Sequence, residues 1–165
     1  MKIKKLHKDA ILPRYATDGA SAFDVFAYKD VLWSNSSQGY YESLIPTGWA
    51  FEIPHECGLF ILSRSGHGFK NNTTLANSVG LLDYDYRGEL MVKLICFSVN
   101  PPEIKAGQAV AQCALIETPK CYFMVSDELS ITDRGENGFG STTKSRDWAI
   151  KSTKQQAKRR DLEIE

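Results

Sequence analysis

Short apolar runs with a two-residue period, each closed by a turn rich in Gly, Pro or Asn, restrict this chain more than any other feature, because half-buried β-strands satisfy such a pattern and helices do not. Phe23, Val25 and Ala27 separate from Asp24 and Phe26, and Trp49, Phe51 and Ile53 separate from Ala50 and Glu52. Further β-rich runs cover 58–62, 90–99 and 109–116, divided by Asn100-Pro101-Pro102 and Ala106-Gly107. Neither an internal repeat nor a strand–helix alternation is present, which sets aside a parallel nucleotide-binding sheet. Helix is confined to a turn or two over 71–78 and to a run over 148–162 that lacks an apolar stripe. The pattern predicts an all-β sandwich or barrel.

With 165 residues, 42% of them hydrophobic, the chain can bury one core but not two ordinary ones. Twenty Lys and Arg balance twenty Asp and Glu, so net charge gives no reason to expect a nucleic acid or a membrane as partner. The balance is uneven: 144–165 carries seven basic residues against four acidic ones, a basic tail on a mildly acidic body. Cys57, Cys96, Cys113 and Cys121 form no CxxC pair, which fits a reduced, cytoplasmic setting. No apolar stretch reaches the roughly 18 residues that would span a bilayer, and none reads as a signal peptide.

Five polar, glycine-bearing segments lie between the strands. Thr17-Asp18-Gly19-Ala20-Ser21-Ala22-Phe23-Asp24 places a carboxylate inside an apolar strand, where it is either hydrogen-bonded structurally or held for a cation; on its own the structural reading is favoured. Ser63-Arg64-Ser65-Gly66-His67-Gly68 offers a guanidinium, a hydroxyl and free amides to a phosphate, or is a solvated turn with His67 as a surface loop residue. The stretch from Asn77 through Gly80, Asp83, Tyr84, Asp85 and Tyr86 to Glu89 has the layout of a hairpin with an acidic, aromatic tip. Gln112 interrupts an apolar strand and needs a partner. Arg134-Gly135-Glu136-Asn137-Gly138-Phe139-Gly140-Ser141-Thr142 could wrap an anion, with Phe139 as a stacking lid for a base.

In this order and spacing the five segments, over about residues 12–142, resemble those of the homotrimeric all-β dUTP pyrophosphatases, the dUTPases. The resemblance implies a distorted jelly-roll or β-barrel with little helix over 1–133, a mobile C-terminal arm over 134–143 and a basic extension of unknown role over 144–165. It implies Mg²⁺-dependent hydrolysis of dUTP to dUMP and pyrophosphate by water attack at the α-phosphate. Asp83 would orient and deprotonate the water, and Tyr86 would pack under the deoxyribose. Asn77 and the backbone near Gly80 would read uracil. Arg64, Ser65, Gly66 and Gln112 would hold phosphates, Arg134, Phe139, Gly140, Ser141 and Thr142 would close over the nucleotide, and Asp24 would support the Mg²⁺ shell through water. Each site would be shared among three subunits.

The chain departs from the family pattern at Ala22, Asn72, Asn137 and Thr143, which stand where glycines are usual, and at Ser63, which replaces a common Pro. The segment near Ala109 lacks the usual basic residue, and 31–41, with Trp33, Tyr40 and Tyr41, reads as a lengthened connection whose aromatics are more simply packing than partner contacts. Two rivals stand beside the hydrolase: a dCTP deaminase of the same fold family, and a regulatory binding protein that kept the scaffold and lost turnover. Retention of the acidic 80–88 segment, together with Asp83, Tyr86 and Phe139, favours the hydrolase.

Overall fold

The computed structural model describes residues 1–138. Met1–Cys121 forms one compact unit and the chain from Tyr122 a second. The sequence places the end of the β body at 133; in the structure the last strand stops at Glu117 and the first unit at Cys121.

Ten strands and one short helix make up the first unit: β1 (Lys2–Lys5), β2 (Arg14–Tyr15), β3 (Phe23–Phe26), β4 (Ser34–Asn35), β5 (Tyr41–Glu52), β6 (Cys57–Leu62), α1 (Ser65–Asn71), β7 (Thr73–Leu75), β8 (Gly80–Leu82), β9 (Glu89–Cys96) and β10 (Ala109–Glu117). One sheet runs β1-β5-β9-β7 with β4 also on β5, and the other runs β2-β3-β10-β6-β8. Every pairing is antiparallel. The buried cluster draws Phe23, Val25, Leu59, Ile61 and Ala111 from one sheet and Ile45, Phe51, Leu90, Val92 and Leu94 from the other, so the core lies between the two layers. No helix among the described residues is long and apolar enough to cross a membrane.

Alternation is strict in β9, where Leu90, Val92, Leu94 and Cys96 all point inward. It fails in β5, which is buried without interruption from Ile45 to Phe51. The pairing of β5 with β9 slips between Pro46 and Ala50, and Gly48 sits at the slip with φ +76°. A Cβ at Gly48 would lie 2.5 Å from that of Ala10, so only glycine supplies both the backbone angle and the clearance. Thr47 Oγ1, fully buried, donates to the Leu90 carbonyl at 2.8 Å, which satisfies its hydroxyl inside the core. Ala50 is consequently buried rather than outward, and so is Phe26.

Two further expectations are corrected. The helix lies over Ser65–Asn71, not 71–78; Asn72 ends it in the left-handed region (φ 49°, ψ 40°), and the chain then enters β7. Nor is the stretch from Asn77 to Glu89 the tip of a hairpin, since β8 pairs with β6 and β9 pairs with β5 and β7. The acidic segment between them crosses from one sheet to the other. In the lengthened 31–41 connection, Trp33 packs against the core and its Nε1 donates to the Pro102 carbonyl at 2.8 Å.

Candidate functional site

The antiparallel registers align Arg14, Asp24, Gln112 and Leu62 in one row across β2, β3, β10 and β6, and cross-strand partners place their side chains on the same face. Two residues beyond Leu62, Arg64 caps α1 in extended conformation and turns its guanidinium back onto that row. Arg64 Nε donates to Asp24 Oδ1 at 3.0 Å and Nη2 to Oδ2 at 3.5 Å, while Nη1 donates to the Ala109 carbonyl at 3.3 Å. The carboxylate inside the apolar strand is therefore ion-paired. Gln112 Nε2 finds its partner in the Ser63 carbonyl at 3.0 Å. Ser63 itself links the sheets: its Oγ accepts the Leu75 N–H at 3.0 Å and shares a hydrogen bond with Thr74 Oγ1 at 3.0 Å.

His67 is not a surface loop residue. It lies on α1, half-buried, with Nε2 at 2.9 Å from the Ala109 carbonyl. A carbonyl only accepts, so Nε2 carries the proton and Nδ1 keeps a lone pair in the neutral ring. That Nδ1 is buried with no partner among the described residues. Arg14, Asp24, Arg64, His67, Glu103 and Gln108 line a cleft of about 680 Å³ together with the Phe26 ring. Ser65 and Gly66 are exposed at the start of α1, and a Cβ at Gly66 would meet nothing within 4 Å. Behind the cleft, burial and then the negative charge of Asp24 push the Cys113 thiol up to about 12.

A second cleft, of about 340 Å³, lies where β8 and β9 face each other across the layers, lined by Asn77, Gly80, Leu81, Leu90, Met91 and Lys93 among others. Asp83 and Tyr86 line neither cleft. Both are exposed on the crossover, where Tyr84 packs against the core and local bonds hold the tip: Tyr86 N–H to the Asp83 carbonyl at 3.2 Å, Tyr86 Oη to the Glu89 carbonyl at 3.2 Å, and Arg87 Nη1 to the carbonyls of Tyr84 at 2.6 Å and Tyr86 at 2.9 Å. A Cβ on Gly88 would overlap the Tyr86 phenol, so this glycine keeps the ring in place.

In the second unit, Arg134 Nε donates to the Asn137 carbonyl at 3.0 Å and Asn137 Nδ2 donates to the Arg134 carbonyl at 3.0 Å, a turn with Gly135 at φ +51°. Phe139, Gly140, Ser141 and Thr142 lie outside the described residues, as does the run 148–162. The structure thus brings Asp24, Arg64 and Gln112 to one side of one sheet and Asn77 with Gly80 to the second cleft, and it leaves Asp83 and Tyr86 on a projecting turn. Sequence reasoning missed Arg14 and misplaced His67. The register opposite Asp24 would have signalled Arg14, had the pairing been readable.

Two antiparallel layers with a guanidinium–carboxylate pair in a polar cleft, and an acidic crossover between the sheets, define an all-β jelly-roll-like protein. The dUTPase family model matches residues 8–143, and the chain belongs to the dUTPase family. It is 40% identical over 144 residues to the deoxyuridine 5′-triphosphate nucleotidohydrolase of Nautilia profundicola, covering 87% of this chain and 99% of that one. The fold is also that of the Staphylococcus bacteriophage 80alpha dUTPase solved with dUpNHpp, with TM-score 0.70 and 22% identity over 85% of this chain and 96% of the other. The phage phi11 dUTPase, solved to describe coordination of a structural Mg(II) ion, superposes with TM-score 0.64 at 19% identity over 77% and 96%.

Proposed function

We propose that this chain hydrolyses dUTP to dUMP and pyrophosphate in a homotrimer with shared sites, in the cytoplasm of the cell that makes it. Family membership over 8–143 carries the reading, and the residues needed for the chemistry are all in the chain. Water attacks the α-phosphorus as the bond to the bridging oxygen breaks, and pyrophosphate departs with that oxygen. The Asp83 carboxylate, exposed on a turn closed by the Tyr86 N–H, takes the proton of the attacking water. Tyr86 lies against the sugar, where a 2′-hydroxyl finds no room. Asn77 and Gly80 receive the base in the cleft between the layers. Arg64, Ser65, Gly66 and Gln112 hold the phosphates, and Arg134 with Phe139, Gly140, Ser141 and Thr142 forms the arm that covers them.

Placement supports shared sites: Asp83 and Tyr86 are exposed and do not line the cleft that holds Arg64, which suits a second chain supplying one of the two sets. No group of three or more His, Cys, Asp or Glu able to hold a metal occurs among the described residues. Mg²⁺ ordinarily keeps several waters and binds through one or two carboxylates plus substrate phosphates. Asp24, whose Oδ2 is only loosely engaged by Arg64, fits that water-mediated role. Bound there, Mg²⁺ would neutralise phosphate charge.

Two inactive variants test the assembly. Asp83→Asn keeps the arm and lacks the base, whereas truncation before Arg134 keeps the base and lacks the arm. Co-expression is expected to restore activity, up to about one site per mixed trimer. Mixed trimers verified by mass tags yet inactive would refute shared sites. Assay against dUTP and dCTP with resolution of uracil and cytosine products separates hydrolase from deaminase, and the absence of any turnover would leave the binding protein.

A further inference from the structure

Within the larger cleft, Arg64 is already matched: its guanidinium forks onto Asp24 and the Ala109 carbonyl. Glu103 is matched by Lys105. Arg14 is different. It stands in β2 directly opposite Asp24, lines the same cleft, and forms no ion pair among the described residues. Its guanidinium rests over the Phe26 ring, 5.4 Å from the centroid, a contact that fixes the plane of the fork without neutralising it. A planar cation held on an aromatic shelf, with its N–H edges free among the described residues, suits a phosphate oxygen better than a flexible ammonium does.

We infer that Arg14 binds the polyphosphate of the nucleoside triphosphate, as an additional substrate contact beside Arg64; this rests on the placement of the phosphates in the Arg64 cleft. The roles divide. Arg64, neutralised by Asp24, presents donors and shape, and Arg14 contributes the unbalanced positive charge that a polyanion seeks. The contact is made equally to bound substrate and to the reacting complex, so its loss raises KM and leaves kcat near its wild-type value.

The test compares Arg14→Gln, Arg14→Lys and Arg64→Gln with wild type, each checked for unchanged mass in solution and assayed well below its own melting temperature. For Arg14→Gln, KM for dUTP is expected to rise about tenfold, the scale of one charge-assisted hydrogen bond at a partly exposed site, with kcat within about twofold. Inhibition by inorganic pyrophosphate should weaken by a similar factor while inhibition by deoxyuridine, which has no phosphate, stays the same. Arg14→Lys, which keeps the charge and loses the planar fork, should recover only part of the loss. Unchanged pyrophosphate inhibition in Arg14→Gln, with weakened inhibition in Arg64→Gln, overturns the role of Arg14 and spares the cleft. Unchanged inhibition in both removes the phosphate placement and this inference together. Equal weakening toward pyrophosphate and deoxyuridine would make Arg14 merely structural and also overturn it.

Discussion

Around the larger cleft, the hydrogen bonds of Arg64, His67 and Gln112 join residues 40 to 49 positions apart. On the crossover between β8 and β9, those of Tyr86 and Arg87 span one to three. The first set forms only when β3, β6 and β10 are assembled, so its geometry persists as long as the sheet does. The second set can loosen without disturbing either sheet, because local openings cost far less than global unfolding. One region inherits its rigidity from the fold, and the other is anchored to the core by Leu82 and Tyr84 while Tyr86 and Arg87 are held by local bonds. A substitution in the cleft should therefore register in stability, and one in the crossover in function alone.

The largest effect expected is at the crossover. Asp83→Asn should lower kcat by about 10² to 10⁴, the usual worth of a general base, with dUTP binding and melting temperature retained. Turnover within tenfold of wild type, measured by pyrophosphate release, would dismiss Asp83 as the base.

Next comes the cleft. Arg64→Ala leaves Asp24 unpaired beneath it. Because the guanidinium is 35% exposed, the loss in urea unfolding should be about 1–2 kcal/mol rather than the 3–5 of a fully buried pair. Adding Asp24→Asn should return part of that loss; strict additivity of the two changes would mean that the pair is not coupled.

A smaller change sharpens the contrast from the other side. Gly88→Ala drives a methyl group into the Tyr86 phenol, so preference for dUTP over UTP should fall several-fold while urea unfolding shifts by no more than about 0.5 kcal/mol. A large stability loss would show that the crossover is tied to the sheets after all.

An effect of pH links the cleft to the core. Burial and the charge of Asp24 hold the Cys113 thiol protonated up to about 12 in the folded chain, whereas an unfolded thiol titrates near 8.5. Between those values the unfolded state has lost its proton and the native state has not, so stability falls as pH rises through the window. Cys113→Ala should flatten that part of the stability curve, and Asp24→Asn should flatten it slightly. An unaltered slope in Cys113→Ala between about pH 9 and 11 would assign the alkaline loss to other groups.

The same division explains what could be read from the sequence. Segments that act locally, such as the left-handed Asn72, declare themselves in neighbouring residues; period-two alternation marks β3 and the end of β5, and β-rich apolar runs mark β6, β9 and β10. Uninterrupted burial in β5 was hidden because it follows from a register slip against β9, which no single strand encodes. The hairpin layout read over Asn77–Glu89 misleads for a similar reason: two strands joined by a short acidic link pair by default, and only the competing partners β6 and β5 separate them. His67 and Arg14 owe their positions to the Ala109 carbonyl and to the register of β2, both set by distant strands.

The terminal strands of both sheets have a consequence for life in a crowded solution. β1, β7, β2 and β8 close the two layers, and none is longer than four residues. A long bare edge invites another chain to add to it, the first step toward a β-aggregate. Here the longest edge reads Lys-Ile-Lys-Lys, so an incoming strand would meet three ammonium groups in four positions. The long, apolar strands β5 and β10 lie inside the strand orders, each with neighbours on both sides over part of its length.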